Sequence, residues 1–170
     1  MALAMGPISA TIPIDAPRER VYDFICDLAN RPAFTDHFMS EFRLERLESA
    51  GIGAAARMRI RRRGLWMETV IEEASSPRWV LERGAGGRLD RIPIRTGWEL
   101  AEGAGQGCEV TVRFWTEPWH PLDRLRESFG VRWFYRRQWA IALSRLKELM
   151  EADRPVARVV VAGGDRMPVT

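Results

Sequence analysis

The two histidines are the side chains best suited to proton transfer near neutral pH. His37 follows Asp36 after an N-terminal helical segment, and His120 lies between Trp119 and Pro121. They are separated by about eighty residues, and no third ligand stands near either one in a recognisable metal-binding pattern. We therefore interpret each histidine as a surface or capping residue, and we predict no metal site.

Arg136 is the charged residue with the most suggestive position in the C-terminal half of the chain. It lies three or four residues from Trp133 and Ala140, on what reads as the apolar stripe of a long helix. A buried guanidinium needs a carboxylate partner or an acidic or carbonyl group of a ligand. The alternative, which we favour slightly, is that the arginine reaches the rim and leaves only its stem buried.

The densest run of basic residues could bind nucleic acid, but its spacing does not favour this function. Its members are Arg57, Arg59, Arg61, Arg62 and Arg63. Alternation places the first three opposite Met58 and Ile60, hence outward, and no aromatic residues interleave with them as stacking on single strands requires. An edge strand protected by charge explains the run with fewer assumptions. We expect no nucleic-acid partner.

Composition describes an ordinary globular chain. The 170 residues carry a net charge of +3 and 46% hydrophobic residues, which suits one domain with a real core. Cys26 and Cys108 are far apart, so they read as small core residues in a reducing compartment rather than as a disulfide. We see no signal peptide and no apolar run long enough to span a membrane. We therefore expect a soluble, cytoplasmic protein, either a monomer or a homodimer.

The N-terminal third predicts one strand followed by two short helices. Alternating apolar residues over Ile8 to Ile14 indicate a half-buried strand. Asp15 is a candidate N-cap with Pro17 in the first turn, so we predict a helix from Asp15 to about Ala29. The Arg31-Pro32 pair interrupts it, and residues 32–37 are expected to form one further turn.

From residue 41 to residue 116 the apolar period is two, and short turns separate the segments, which predicts an antiparallel meander. The further strands are predicted near residues 41–47, 54–63, 65–74, 79–83, 92–100 and 108–116. The glycine-rich stretch Gly84–Gly87 lacks the context of a phosphate-binding loop and is interpreted as a flexible hairpin. Residues 121–151 predict one long helix, and residues 155–170 a tail or an extra edge strand.

This order of elements resembles the helix-grip fold of the START/Bet v 1-like superfamily, in its polyketide cyclase/dehydrase-like branch. The resemblance is carried by ISATIPIDAPRERVYDFICDLANRPAF (residues 8–34), ETVIEEASSPRWVLER (68–83), GWELAEGAGQGCEVTVRF (97–114) and the helix end LSRLKELME (143–151). It implies an α+β domain over residues 1–154, in which a seven-stranded curved antiparallel sheet wraps a long C-terminal helix. It also implies an internal cavity for an apolar or aromatic molecule, and no cofactor.

The residues expected to line that cavity come from the alternation of each strand and from the stripe of the long helix. They are Met58, Ile60, Met67, Thr69, Trp79, Leu81, Ile94, Thr96, Trp98, Val112, Phe114, Phe129, Trp133, Arg136 and Ala140. The other interpretation is that these side chains fill a core at normal density and leave no room for a ligand. We favour an open cavity, since ligand sites are concave and mostly apolar.

Three functions remain open at this point. The first is binding of a hydrophobic, lipid-like or aromatic molecule. The second, implied by the resemblance, is a cyclase/dehydrase-type enzyme, for which Arg136, His120 and Tyr22, with Tyr135 and Thr96, are the polar groups to test. The third is an interaction module that binds a quinone or a ribosome-associated partner, supported only by the basic strand. We prefer the binder, because the apolar strand faces appear in sequence almost free of carboxylates.

Overall fold

A computed structural model describes residues 7–61, 64–87, 92–117, 130–152 and 158–159. Its strands are β1 (Ile8–Ile14), β2 (Met39–Leu44), β3 (Ala55–Ile60), β4 (Leu65–Ser75), β5 (Trp79–Gly86), β6 (Ile92–Glu102) and β7 (Cys108–Thr116). The helices are α1 (Arg18–Cys26), a 3₁₀ turn (Leu28–Asn30), α2 (Pro32–Thr35) and α3 (Gly130–Glu151). The element order and the seven strands are those predicted from the apolar period.

In the described residues the strands form one antiparallel sheet in the order β1-β7-β6-β5-β4-β3-β2. From β2 to β7, consecutive strands pair with each other, as short turns require, and β1 pairs with β7. The long helix α3 lies across the concave face, where Trp139 contacts Trp98 of β6 and Phe114 of β7. This is the helix-grip fold, and the fold prediction is confirmed. Residues 121–129, predicted to begin the long helix, lie outside the described residues.

The first helix begins later than predicted and uses a different contact at its start. It starts at Arg18 after Pro17, and no side chain caps it. The backbone N–H of Asp15 instead donates to Glu151 Oε1 at 2.8 Å. Asp15 therefore ties the end of β1 to the end of α3 rather than capping α1, because the tertiary contact offers its backbone a charged acceptor.

The arginines of β3 point outward as predicted, but the reason given for them was wrong. Arg57 pairs with Glu68 at 3.4 Å, and Arg59 pairs with Glu41 at 2.8 Å. The strand β3 is an interior strand, since β2 and β4 flank it, so its charges do not protect a sheet edge. They form cross-strand ion pairs on the solvent face, each contributing at most about 1 kcal/mol.

The glycine-rich stretch begins as strand, not as a flexible hairpin. The strand β5 continues to Gly86, and Gly84 pairs with Thr69 of β4. A Cβ at position 84 would lie 1.8 Å from the carbonyl oxygen of Glu68. Only glycine allows the two backbones to approach this closely, next to the register shift in β4 between Ile71 and Glu73.

Both cysteines are buried and free, as predicted. Within the described part of the C-terminal tail, the N–H of Val159 donates to the carbonyl of Ala29 at 3.0 Å, and Arg158 pairs with Asp27. This contact places residues 158–159 beside the 3₁₀ turn. Over the described ranges, no helix is both long and apolar enough to cross a membrane.

His37 joins the end of α2 to the middle of α3. Its Nε2–H donates to the carbonyl of Gln138 at 3.1 Å, so the neutral ring presents Nδ1 as an acceptor to Arg145 Nη1 at 3.3 Å. Arg145 also pairs with Asp36. Burial lowers the pKa of His37, and the adjacent Arg145 lowers it further, against the opposing effect of the Gln138 hydrogen bond.

We predict that this junction makes folding stability depend on pH. Because the native pKa of His37 lies below the unfolded value of about 6.5, the unfolded state binds the proton first as the pH falls. The free energy of unfolding should therefore decrease as pH falls below about 6.5 and be unaffected by this residue above it. Urea unfolding of wild type and His37→Gln from pH 5 to pH 8 measures this. An identical pH slope for both proteins in that window would contradict the assignment.

Candidate functional site

A buried ion pair stands at the centre of the concave face. Arg31 donates to Glu82 through both terminal nitrogens, with Nη1–Oε2 at 3.2 Å and Nη2–Oε1 at 2.5 Å. Their side chains are only 3% and 2% exposed. Removing two charges from water costs several kcal/mol per ion, and a two-pronged arginine–carboxylate contact is the geometry that best offsets this.

The carboxylate of Glu82 has two more donors. The hydroxyl of Thr69 donates to Oε2 at 3.0 Å, and the indole N–H of Trp98 donates to Oε1 at 2.7 Å. The Arg31 guanidinium also lies 5.0 Å from the centre of the Trp98 ring, a cation–π contact. With four hydrogen bonds, Glu82 has filled the acceptor positions of a carboxylate.

The chain places Arg31 through its backbone. The residue lies between the 3₁₀ turn and α2, and its carbonyl accepts from the N–H and the hydroxyl of Thr35 at 3.2 and 2.8 Å. Pro32 occupies the first position of α2, where the missing N–H costs nothing. The predicted helix interruption at Arg31-Pro32 is therefore also what directs the guanidinium into the sheet.

An aromatic cluster surrounds the ion pair. Trp98 and Trp139 meet edge to face at 5.5 Å, Phe38 meets Trp139 at 5.5 Å, and Phe34 meets Trp98 at 6.1 Å. Such geometry adds roughly 0.5–1.5 kcal/mol per pair beyond burial. The Nε1–H of Trp139 is buried and has no hydrogen-bond partner in the described ranges of the chain.

Exposure rises from one end of this interior to the other. Trp98, Val110 and Leu146 are 0% exposed, whereas Ile94 and Tyr135 are each 8% exposed and Phe134 is 9%. The more exposed group comprises the early residues of β6 and of α3, which share one end of the sheet. These three are the most exposed of the buried core residues that the structure describes.

Nine of the predicted lining residues are buried on the inner face. They are Met58, Ile60, Met67, Thr69, Ile94, Thr96, Trp98, Val112 and Phe114. The register brings the β5, β6 and β7 members into rows, such as Val80–Trp98–Val112 and Glu82–Thr96–Phe114. Met67 and Thr69 share the buried face of β4 with Ile71.

Trp79 and Leu81 lie on the opposite face, so their placement in the interior was wrong. Trp79 pairs with the exposed Glu99, and Leu81 pairs with Gly97, whose α-carbon faces the Trp115 ring. The inner positions of β5 belong to Val80 and Glu82. Outer-face apolar contacts bury Leu81 without bringing it into the core cluster.

The interior face of α3 is rotated from the predicted stripe. Trp133 is 60% exposed and lies against the Arg137 guanidinium at 5.5 Å, while Arg136 and Ala140 are also exposed. The interior residues are Phe134, Tyr135, Trp139, Ala142, Leu143, Leu146 and Met150, at spacings of one to four residues. Arg136 therefore does not face the interior.

Of the other chemical candidates, Tyr22 is buried in α1, and His120 and Phe129 lie outside the described residues. Burial strongly raises the pKa of Tyr22, with further contributions from its hydrogen bond to Cys26 and from Asp23. Its hydroxyl stays protonated at neutral pH, so it can donate a hydrogen bond but does not act as a base.

Sequence reasoning missed Arg31 and Glu82, the two residues that carry most of the interior polarity. Glu82 was not among the predicted lining residues, because Trp79 and Leu81 were taken as the inward residues of this strand. Val80, two residues before Glu82 on the same strand, was an available indication. Alternate residues of a strand lie on the same face, and a β-branched residue indicates the inner face as well as Leu81 does. Nothing in the sequence pairs Arg31 with a residue 51 positions away.

The chain was then compared with known proteins. A family model described as polyketide cyclase / dehydrase and lipid transport matches residues 5–151. The chain belongs to this family. No curated protein sequence matches it significantly.

Solved structures agree on the fold. The chain is similar to a START superfamily protein from Mycobacterium smegmatis, at 11% identity and a TM-score of 0.67, covering 88% of this chain and 99% of that one. It is also similar to the KanY protein, at 18% identity and a TM-score of 0.67, covering 85% and 97%. Major latex-like protein 151 from Panax ginseng gives 10% identity and a TM-score of 0.66, with the same coverages. The START/Bet v 1-like assignment is confirmed.

We predict that Glu82→Gln destabilises the fold by about 3–5 kcal/mol, because it leaves the Arg31 charge buried without a counter-charge. The matched control is Glu99→Gln, which removes the half-exposed partner of Arg113 at 3.0 Å and should cost at most about 1 kcal/mol. Guanidinium unfolding measures both. Equal small losses would show that the interior pair is not the central contact.

Proposed function

We propose that this chain binds a hydrophobic, aromatic or lipid-like small molecule between the concave sheet and α3. The observation that carries the proposal is an aromatic interior with one end more exposed than the other, where Ile94, Phe134 and Tyr135 lie. Ligand sites are typically concave and apolar, with a few polar groups that fix orientation. Membership of a family described by cyclase, dehydrase and lipid transport functions supports the same class of ligand.

The polar groups of the interior suit orientation of a ligand. The ion pair of Arg31 and Glu82 and the hydroxyl of Thr69 are held by one another, so their positions are set before a ligand arrives. A preorganised site loses less conformational entropy on binding. The apolar rings would supply affinity, and the fixed dipoles would select among ligands of similar shape.

We predict that Ile94→Trp weakens binding of N-phenyl-1-naphthylamine by about tenfold, because the larger side chain fills the more exposed end of the interior. The matched control, Ile141→Trp, adds the same ring on the outer side of α3, where Ile141 is 36% exposed, and should leave affinity unchanged. The probe's fluorescence increase measures both. A wild type that gives no increase, or equal losses in both variants, would contradict an interior site.

A second candidate is a cyclase/dehydrase-type enzyme, favoured by the charged residues Arg31 and Glu82 in the interior and by the family description. General acid–base catalysis needs a side chain free to exchange a proton with the substrate. Glu82 already accepts four hydrogen bonds, and the guanidinium of Arg31 is a hydrogen-bond donor held by Glu82. Because both side chains are already engaged in hydrogen bonds with protein groups, ligand binding is better supported than catalysis.

We therefore expect wild-type protein to show no saturable turnover of poly-β-ketone mimics. The comparison variant is Tyr135→Phe, which removes only a hydroxyl from the interior, where the ring packs on Phe114 at 4.7 Å. Product formation is followed by absorbance and mass spectrometry. Saturable turnover that is present in wild type and lost in a folded Tyr135→Phe variant would establish the enzyme instead.

The interaction-module alternative has less support than the other two. It rests on the basic run, in which Arg57 and Arg59 pair with Glu68 and Glu41, Arg61 is exposed, and residues 62–63 lie outside the described residues.

A further inference from the structure

The indole N–H of Trp139 is a polar group of the interior that forms no hydrogen bond within the described part of the chain. The side chain is 1% exposed, and its Nε1 finds no acceptor there. More than nine in ten buried polar groups find a partner, because an unpaired donor keeps the full cost of leaving water. An N–H that the protein does not satisfy is a place where a ligand acceptor gains a hydrogen bond at little cost.

The surroundings of Trp139 restrict what that acceptor can belong to. The rings of Phe38, Trp98 and Phe114 lie 5.5, 5.5 and 5.9 Å from it. Planar aromatic molecules pack well among such rings, whether edge to face or offset. The acceptor is therefore expected on a flat, conjugated skeleton rather than on a flexible chain.

The other polar atoms of the interior also favour an acceptor-bearing ligand. Arg31 Nε is buried and has no hydrogen-bond partner among the described residues, and its guanidinium lies over the same Trp98 ring that contacts Trp139. The Glu82 oxygens are already filled by four donors. The unused groups are thus donors, which complement a carbonyl oxygen and do not complement a ligand hydroxyl that needs to donate.

We propose that Trp139 Nε1 donates a hydrogen bond to a carbonyl oxygen of a planar aromatic ligand, which makes aromatic ketones the preferred ligand class. This inference rests on the proposed interior binding and adds to it the chemistry that the site selects. A ligand of the same shape without the carbonyl leaves the N–H unpaired and binds more weakly.

The test compares 9-fluorenone with fluorene, two tricyclic molecules of the same outline that differ by one carbonyl. Their affinities are measured by displacement of N-phenyl-1-naphthylamine from wild type, Trp139→Phe and the control Trp133→Phe. Comparing the affinity ratio between proteins cancels the different solubilities of the two molecules. We expect the fluorenone preference to fall about tenfold in Trp139→Phe, equivalent to about 1.4 kcal/mol, and to be unchanged in Trp133→Phe.

A second measurement does not depend on the variant folding. In ¹⁵N-labelled wild type, fluorenone should shift the assigned Trp139 indole N–H resonance downfield, and fluorene should not. An unchanged affinity ratio, or fluorenone binding without that shift, would overturn the Trp139 assignment while leaving interior binding intact. If neither molecule nor the probe binds, the proposed function fails and this inference fails with it.

Discussion

The contact on which the rest of the interior depends is the ion pair of Arg31 and Glu82. It joins the segment between the 3₁₀ turn and α2 to the middle of the sheet, across 51 residues of chain. A buried guanidinium and carboxylate are stable only together and only when their remaining hydrogen-bonding positions are largely filled. Thr69 and Trp98 meet that condition for the carboxylate, so the positions of β4, β5, β6 and α2 are fixed by one set of hydrogen bonds.

This arrangement divides the interior into two parts with different properties. Toward the C-terminal end of α3, Leu146, Ala142 and the Trp98–Trp139 contact are fully buried and packed at short ring distances. Toward its N-terminal end, Tyr135 and Ile94 keep some exposure. In the proposed binding mode the less enclosed part admits the ligand. Trp139, which lies between Tyr135 and Leu146 on α3, donates to it from the border of the packed part.

The fold could be predicted from sequence because its main determinant is local. Period-two alternation and short turns specify an antiparallel meander, and β1 and β7 have the predicted bounds. The face of α3 that packs against the sheet could not be predicted in the same way. Near Trp133 and Trp139 two neighbouring stripes are almost equally apolar, and only packing against Phe114 and Trp98 decides between them. Trp133 tolerates the solvent side because Arg137 covers part of its ring.

The buried ion pair of Arg31 and Glu82 was not predicted, for a related reason. Alternation assigns a charged residue to water, and a strand such as β5, with apolar residues at both parities, lets that rule choose the wrong face. Glu82 is inside because Arg31, Thr69 and Trp98 reach it, and none of these is its sequence neighbour. The same rule explains why the unused donors of the interior could not be foreseen. A donor is unused only relative to the acceptors around it, and those are set by the three-dimensional fold. The ligand chemistry that this interior would prefer therefore depends on which of its polar groups lack a hydrogen bond, here N–H groups among aromatic rings.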